Sequence, residues 1–152
     1  MSLKLAVGSK MRGVLSTVKT MKTECIVLIG MSGVGKSTLG ELLAHELGFS
    51  FTDLDKYIVE KEQKTIQEII NDNGEDFLLK VEKQRMSEID LTKRVIAPGG
   101  SIIYNADVME YLKANATLVY LEDTFAHIGK HLAGTEASRG IVGLRNKSFR
   151  QI

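Results

Sequence analysis

The sequence has little of several residue types that mark particular classes of protein. Its 152 residues include one cysteine, one proline and no tryptophan. A single cysteine excludes an internal disulfide and suits a reducing cytoplasm, where we expect this protein. No apolar run approaches the roughly 20 residues that a membrane helix needs. With 43% hydrophobic and 26% charged residues, the composition is that of one globular domain with a sizeable core.

Acidic residues are absent before Glu24, whereas five lysines and arginines precede it, although the whole chain has a net charge of only +1. Such a basic leader is typical of an organellar targeting segment. It also fits a tag or an upstream start, because Met21 offers a natural beginning. We favour this second interpretation for residues 1–20 and leave them out of the predicted fold. The remaining, acidic body argues against a nucleic-acid partner, and we expect a monomer that binds neither nucleic acid nor membrane.

A glycine-rich turn follows the first apolar run, residues 25–29. Residues 30–37 read Gly-Met-Ser-Gly-Val-Gly-Lys-Ser and match the phosphate-loop pattern at every required position. In this pattern, glycines let backbone N–H groups approach phosphate oxygens, the lysine reaches the β- and γ-phosphates, and the serine hydroxyl binds Mg²⁺. The predicted nucleotide site therefore comprises Gly30, Ser32, Gly33, Val34, Gly35, Lys36, Ser37 and Thr38.

The context of this turn favours a phosphate loop over a chance glycine-rich segment. Leucines recur at helical spacing after it, at Leu39, Leu43 and Leu47, so the turn lies between a buried strand and an amphipathic helix. A helix that begins near Lys36 would direct its positive N-terminal end at the same anion.

Two aspartates follow the second predicted strand, residues 49–52. In an open α/β sheet, functional groups collect at the carboxyl ends of strands, which places Asp53 and Asp55 beside the phosphate loop. On an extended segment, residues two apart point to the same side. One carboxylate would then hold the water shell of a metal and the other a substrate hydroxyl. The alternative is a pair of acids that cap the next helix.

The rest of the chain alternates helices and strands without internal repeats. Helices are predicted from Thr65 and from Glu75; in the second, Phe77 would face inward and Glu82 outward. A strand at 95–97 ends in a tight turn at residues 98–101, and another strand spans residues 117–121. The predicted fold of residues 21–152 is a three-layer α/β/α sandwich around a parallel sheet.

Near the end of the chain, residues 133–146 are small and polar around Arg139. A flexible segment that carries one arginine, after the fourth strand of such a fold, fits a closing lid. An ordinary surface loop is the alternative.

Together these residues resemble the shikimate kinases, within the nucleoside-monophosphate-kinase-like branch of phosphate-loop proteins. The family's loop is similar to residues 30–37 and its strand-end aspartate pair to residues 53–55. Its Gly-Glu-x-x-Phe-Arg-x-x-Glu element looks like residues 74–82, its triple-glycine turn resembles residues 98–100, and its lid arginine is similar to Arg139. The resemblance implies a fold of the phosphate-loop kinase type and a kinase that uses ATP and Mg²⁺ to phosphorylate a hydroxyl of shikimate.

For the ATP site, the resemblance implies that Lys36 and Ser37 bind the phosphates and Mg²⁺, while Asp53 supports the metal through water. For the acceptor, it implies that Asp55 holds and deprotonates the reacting hydroxyl. Gly99 and Gly100 would contact the substrate. Arg139 would close over the transferring group. The resemblance thus implies three catalytic residues, Lys36, Asp55 and Arg139.

The chain departs from the family at four places. The arginine expected to grip the substrate carboxylate falls on Leu79, with Lys80 beside it; the first glycine of the triple is Pro98; and the lid sequence after Arg139 differs. The family also continues past the lid with a strand and a helix that this sequence lacks. A kinase of another small hydroxylated metabolite, and a nucleotide-binding module without catalysis, therefore remain alternatives.

Overall fold

A computed structural model describes residues 2–6 and 24–123, and within them the chain forms a parallel sheet. Neighbouring strands pair in parallel, in the order β1-β5-β2-β4-β3. The predicted α/β fold with a parallel sheet is thus confirmed. The strands are β1 Ser2–Ala6, β2 Cys25–Ile29, β3 Ser50–Asp53, β4 Arg94–Ala97 and β5 Thr117–Glu122.

Helices connect strands β2 to β5, and local sequence signals fix their ends. The first ends at Gly48, which adopts φ 66°, a left-handed conformation that glycine reaches at little cost. The third begins with a reciprocal capping box between Thr65 and Glu68. The helices are α1 Lys36–Leu47, α2 Leu54–Glu62, α3 Ile66–Asn73, α4 Glu75–Ser87 and α5 Ala106–Asn115, with a 3₁₀ helix at Gly100–Tyr104.

Both faces of the sheet are covered, as expected where strands are apolar throughout. On β2, Cys25 and Val27 pack into one buried cluster with residues of α2, α3, α4 and α5. Ile26 and Leu28 face the opposite way and pack against α1. This alternation produces the predicted three layers. Burial raises the pKa of the Cys25 thiol to about 11, so it stays protonated and serves as a core residue.

The N-terminal strand corrects an expectation from the sequence. We left residues 1–20 out of the fold, yet Ser2–Ala6 form a strand that pairs in parallel with β5, from Ser2 opposite Leu118 to Ala6 opposite Glu122. The pairing occupies backbone groups of β5 that would otherwise form an open edge. The expectation rested on the basic charge of the segment, and that charge does not prevent residues 2–6 from forming a strand.

None of the helices in the ranges 2–6 and 24–123 combines the length and the apolar character that crossing a bilayer requires. The predicted lid at residues 133–146, including Arg139, lies outside the described residues, and so does everything after Asp123.

Loss of β1 should destabilise the domain. A chain that starts at Met21 should unfold at a lower temperature than the full chain, by about 2–4 °C for each kcal/mol of lost strand pairing. Replacing residues 2–6 with a Gly-Ser stretch of equal length should have the same effect, because it removes the strand but keeps the length. Thermal unfolding followed by circular dichroism measures both. If both variants unfold like the parent, the segment contributes nothing to the fold.

Candidate active site

The turn between β2 and α1 has backbone conformations that few residues other than glycine adopt. Gly30, Gly33 and Gly35 have φ of 151°, 81° and 94°. A Cβ atom on Gly30 would lie 2.5 Å from the carbonyl oxygen of Leu121 in β5, a clash with backbone that cannot move aside. The turn is therefore held against the sheet, and its glycines leave the backbone free of side chains, as a phosphate-binding loop requires.

Lys36 lies inside this turn rather than in solvent. Its side chain is buried, and Nζ donates hydrogen bonds of 2.8 Å to the carbonyl oxygens of Gly30 and Met31. The ammonium group is thus held at the mouth of the loop, beside the N-terminus of α1. Phosphate oxygens at this position would meet a positive charge, a helix N-terminus and exposed backbone N–H groups.

Ser37 and Asp53, the two predicted metal-binding residues, lie together. Ser37 Oγ donates a hydrogen bond of 2.6 Å to Asp53 Oδ2. The other oxygen, Oδ1, accepts a hydrogen bond of 3.1 Å from the backbone N–H of Lys56 and caps α2. Asp53 therefore caps α2, as the second alternative from the sequence predicts, and its other oxygen contacts the phosphate loop. A hydroxyl and a carboxylate are ligands that suit Mg²⁺.

Asp55 reaches the site by a different route from the one predicted. It is not part of an extended segment, because α2 begins at Leu54 and Asp55 lies in its first turn. The reason is the cap itself: Asp53 ends the strand and starts the helix at once. Asp55 nevertheless lines the same cavity as Asp53.

The turn after β4 lies directly opposite Asp55. A Cβ atom on Gly99 would be 2.6 Å from Asp55 Oδ1, so the backbone of this turn and the carboxylate are already close together. Gly100 faces the phosphate loop instead, and its Cβ would be 3.4 Å from the N–H nitrogen of Ser32, an ordinary contact. This turn therefore bridges the loop and the second aspartate.

One cavity of about 340 Å³ collects most of the predicted site. Gly30 does not line it, and neither does Val34, whose side chain is buried in the core. Leu79 and Lys80 line a different cavity beside Tyr104, so Lys80 does not replace the missing arginine here. The predicted residues that line the cavity are Ser32, Gly33, Gly35, Lys36, Ser37, Thr38, Asp53, Asp55, Gly99 and Gly100.

Two expectations for α4 are wrong. Phe77, expected inside, is 41% exposed, and Glu82, expected outside, is only 1% exposed. Helical spacing explains the second error, because Leu78, Val81 and Glu82 lie on one face, and that face packs on the core. The helical spacing thus indicates burial of Glu82, whereas its residue type indicates exposure, because carboxylates are rarely buried.

Glu82 is held by the residue that follows the glycine turn. The hydroxyl of Ser101, itself buried, donates a hydrogen bond to Glu82 Oε1, whereas Oε2 has no hydrogen-bond partner within the described part of the chain. Burial raises the pKa of Glu82 from 4.5 to about 7, the hydrogen bond from Ser101 lowers it, and the charge of Asp55 raises it. The charge of Asp55, which lines the cavity, thus affects the protonation of Glu82.

The fold and this cavity define the class first: a phosphate-loop protein with an acidic pair and a glycine turn facing the loop. Comparison with known proteins then identifies the family within this class. The model of the shikimate kinase family matches residues 32–151, and the chain belongs to that family.

Individual relatives agree with this assignment. The chain is 40% identical to the shikimate kinase of Chloroherpeton thalassium over 76% of its own length and 62% of that protein, and 32% identical to shikimate kinase 2 of Photorhabdus laumondii over 83% and 72%. A crystallised shikimate kinase from Acinetobacter baumannii, in complex with shikimate, superposes with a TM-score of 0.75 at 30% identity, over 82% of this chain and 70% of the other. The chain thus spans less than two thirds of the Chloroherpeton protein.

Adding a methyl group at Gly99 should disturb the cavity far more than the same change at Gly100. Gly99→Ala forces the turn or Asp55 to move, because the new Cβ would be 2.6 Å from the carboxylate, whereas Gly100→Ala meets nothing closer than 3.4 Å. Because the atoms in the way belong to the end of the Asp55 side chain and not to backbone, we expect the carboxylate to turn aside in Gly99→Ala and to keep its parental position in Gly100→Ala. Crystal structures of the two variants measure the difference. An unmoved Asp55 carboxylate in Gly99→Ala would contradict the close approach.

The buried Glu82 should make stability depend on pH. Its pKa is raised in the folded state, so the native protein binds this proton more tightly than the unfolded chain. Its contribution to the free energy of unfolding is therefore complete below about pH 4.5 and is lost as the pH rises through about 7. The loss is on the order of 3 kcal/mol at 1.36 kcal/mol per pKa unit.

Glu82→Gln cannot ionise and should lack this dependence. Urea unfolding at pH 5 and pH 8 should show a smaller difference for the variant than for the parent, and at pH 8 the variant should be the more stable of the two. Glu110→Gln, an exposed glutamate on α5, is the control and should follow the parent. If the parent and Glu82→Gln had the same pH dependence of stability, the pKa of Glu82 would not be raised in the folded state.

Proposed function

We propose that the protein is an ATP-dependent kinase that transfers the γ-phosphoryl group to a hydroxyl of shikimate. The observation that carries this proposal is the juxtaposition in one cavity of the phosphate loop, the Asp53 and Asp55 carboxylates and the Gly99 turn. A donor phosphate on the loop would lie next to a carboxylate able to receive an acceptor's proton. Membership of the shikimate kinase family supports the choice of acceptor.

In this proposal, the loop residues and Thr38 bind ATP. Lys36 would exchange its present hydrogen bonds with two carbonyl groups for bonds to the β- and γ-phosphates. Ser37 and Asp53 would hold Mg²⁺, the aspartate through water. Their oxygen atoms fit this ion, and the bound ion would supply neutralisation of the phosphate charge.

Asp55 is the proposed base. Its carboxylate would orient the acceptor hydroxyl and take its proton as the oxygen attacks the γ-phosphorus and ADP leaves. Gly99 and Gly100 would bind the acceptor through their backbone, and Arg139, outside the described residues, would close over the transferring group. Phosphoryl transfer depends mainly on such positioning and charge stabilisation, so these residues are of the types that the reaction requires.

A kinase of another small hydroxylated metabolite is the second candidate. It is favoured by Leu79, which cannot pair with a carboxylate, and by Lys80, which lines a different cavity. For either acceptor we propose a monomer in the cytoplasm whose partners are small molecules.

The decisive assay is ADP release by the full chain with Mg²⁺-ATP, with and without shikimate. We expect release that depends on shikimate and saturates with it. Lys36→Ala and Asp55→Asn should each reduce kcat/KM by at least about 100-fold, the usual effect of removing a group that neutralises or accepts charge in the transition state. Asp72→Asn, an exposed aspartate paired with Lys64, is the matched control and should behave as the parent.

The other outcomes of this assay distinguish the alternatives. ATP binding without a response to shikimate, but with turnover of another polyol in a panel, would favour the second candidate. Binding of ATP without turnover of any acceptor would indicate a nucleotide-binding module. Full activity of Lys36→Ala would exclude a kinase that uses this loop.

A further inference from the structure

A hydrogen bond between two buried side chains connects α4 to the glycine turn. Glu82 belongs to α4, and Ser101 lies one residue after Gly100, at the start of the 3₁₀ helix. Glu82 is 1% and Ser101 8% exposed, so water does not compete for the bond. A buried bond to a carboxyl group fixes the distance between the two elements more firmly than a surface contact would.

The turn that Ser101 anchors is the one that faces the cavity. Gly99 lies against Asp55 so closely that a Cβ would be 2.6 Å from Oδ1, and Gly100 lies beside the N–H group of Ser32 in the phosphate loop. A small shift of the turn would therefore change its distance both to the proposed base and to the loop. The anchor lies behind the cavity: neither Glu82 nor Ser101 lines it.

Glu82 maintains this bond at a cost. Its Oε2 is buried and has no hydrogen-bond partner in the described ranges, and the residue one helical turn before it is the apolar Leu79. A buried, unpartnered oxygen is destabilising, so a merely structural position would favour an apolar residue. Such a cost is found where side chains orient a functional site.

We propose that Glu82 and Ser101 form a clasp that positions the backbone of Gly99 and Gly100 for the phosphoryl acceptor. Both are positioning residues, because they act through the turn and do not themselves contact substrate. The inference rests on the proposed function, in that the acceptor is taken to bind between this turn and Asp55. It predicts that loss of the clasp weakens acceptor binding and leaves the ATP site intact, since Lys36 and Ser37 are held by other bonds.

Ser101→Ala removes the donor and little volume. We expect the KM for shikimate to rise about five- to tenfold, the fold-change that corresponds to one lost hydrogen bond, while the KM for ATP stays within twofold of the parent. Glu82→Gln can still accept the bond from Ser101 and resembles the protonated carboxyl, so it should keep the parental KM for shikimate. Rescue by this conservative variant separates positioning by the bond from a requirement for charge.

Asn105→Ala is the matched control. The Asn105 side chain connects the other end of the same 3₁₀ helix to α4, through a hydrogen bond of 2.9 Å to the carbonyl oxygen of Leu79. Its loss should lower the melting temperature but leave the KM for shikimate unchanged. Equal effects of Ser101→Ala and Asn105→Ala on that KM would overturn the clasp, and so would a parental KM in Ser101→Ala. If Ser101→Ala does not fold, Ser101→Cys, which keeps the volume but donates weakly, replaces it under the same criteria.

A second measurement keeps this inference separate from the proposed function. If the parent does not turn over shikimate, the proposed function fails, and hydrogen exchange of the amides of residues 99–101 then decides the clasp alone. Exchange there should be faster in Ser101→Ala than in the parent and in Glu82→Gln. Unchanged exchange in Ser101→Ala would overturn the clasp whatever the activity.

Discussion

The site depends on the carboxylate of Asp53, because its two oxygens tie together the elements that form the cavity. One oxygen accepts from Ser37 at the start of α1, and the other caps α2. Strand, phosphate loop and the helix that carries Asp55 are therefore fixed relative to one another by a single side chain at the carboxyl end of β3. A bound cation would join an arrangement that the protein alone already holds.

Much of this arrangement follows from the sequence, because it depends on local signals. Glycines at fixed spacing define the loop, Gly48 ends a helix, and Thr65 with Glu68 begins another. The meeting of the loop with the aspartates then follows because functional groups collect at the carboxyl ends of parallel strands. The sequence could not provide the tertiary contacts. The path of Asp55 into a helix depends on the cap at Asp53, and the pairing of β1 with β5 joins the two ends of the described chain.

Glu82 shows a different limit of sequence-based prediction. Its helical position indicates burial and its charge indicates exposure, and a rule based on residue type decides for exposure. The structure decides for burial, because Ser101 offers a donor and because a raised pKa lets the carboxyl carry a proton near neutral pH. Conflicts of this kind between local preference and final position are expected at sites under functional constraint.

The absence of an arginine at position 79 affects the surroundings of the buried Glu82. On a helix, residues three apart are neighbours, so an arginine there could reach both a substrate carboxylate and Glu82 Oε2. With leucine in that place, Oε2 has no hydrogen-bond partner among residues 2–6 and 24–123, and within these ranges the carboxyl group is bonded to Ser101. Within the described residues, the proposed acceptor would therefore meet the backbone of Gly99 and Gly100 rather than an arginine at position 79.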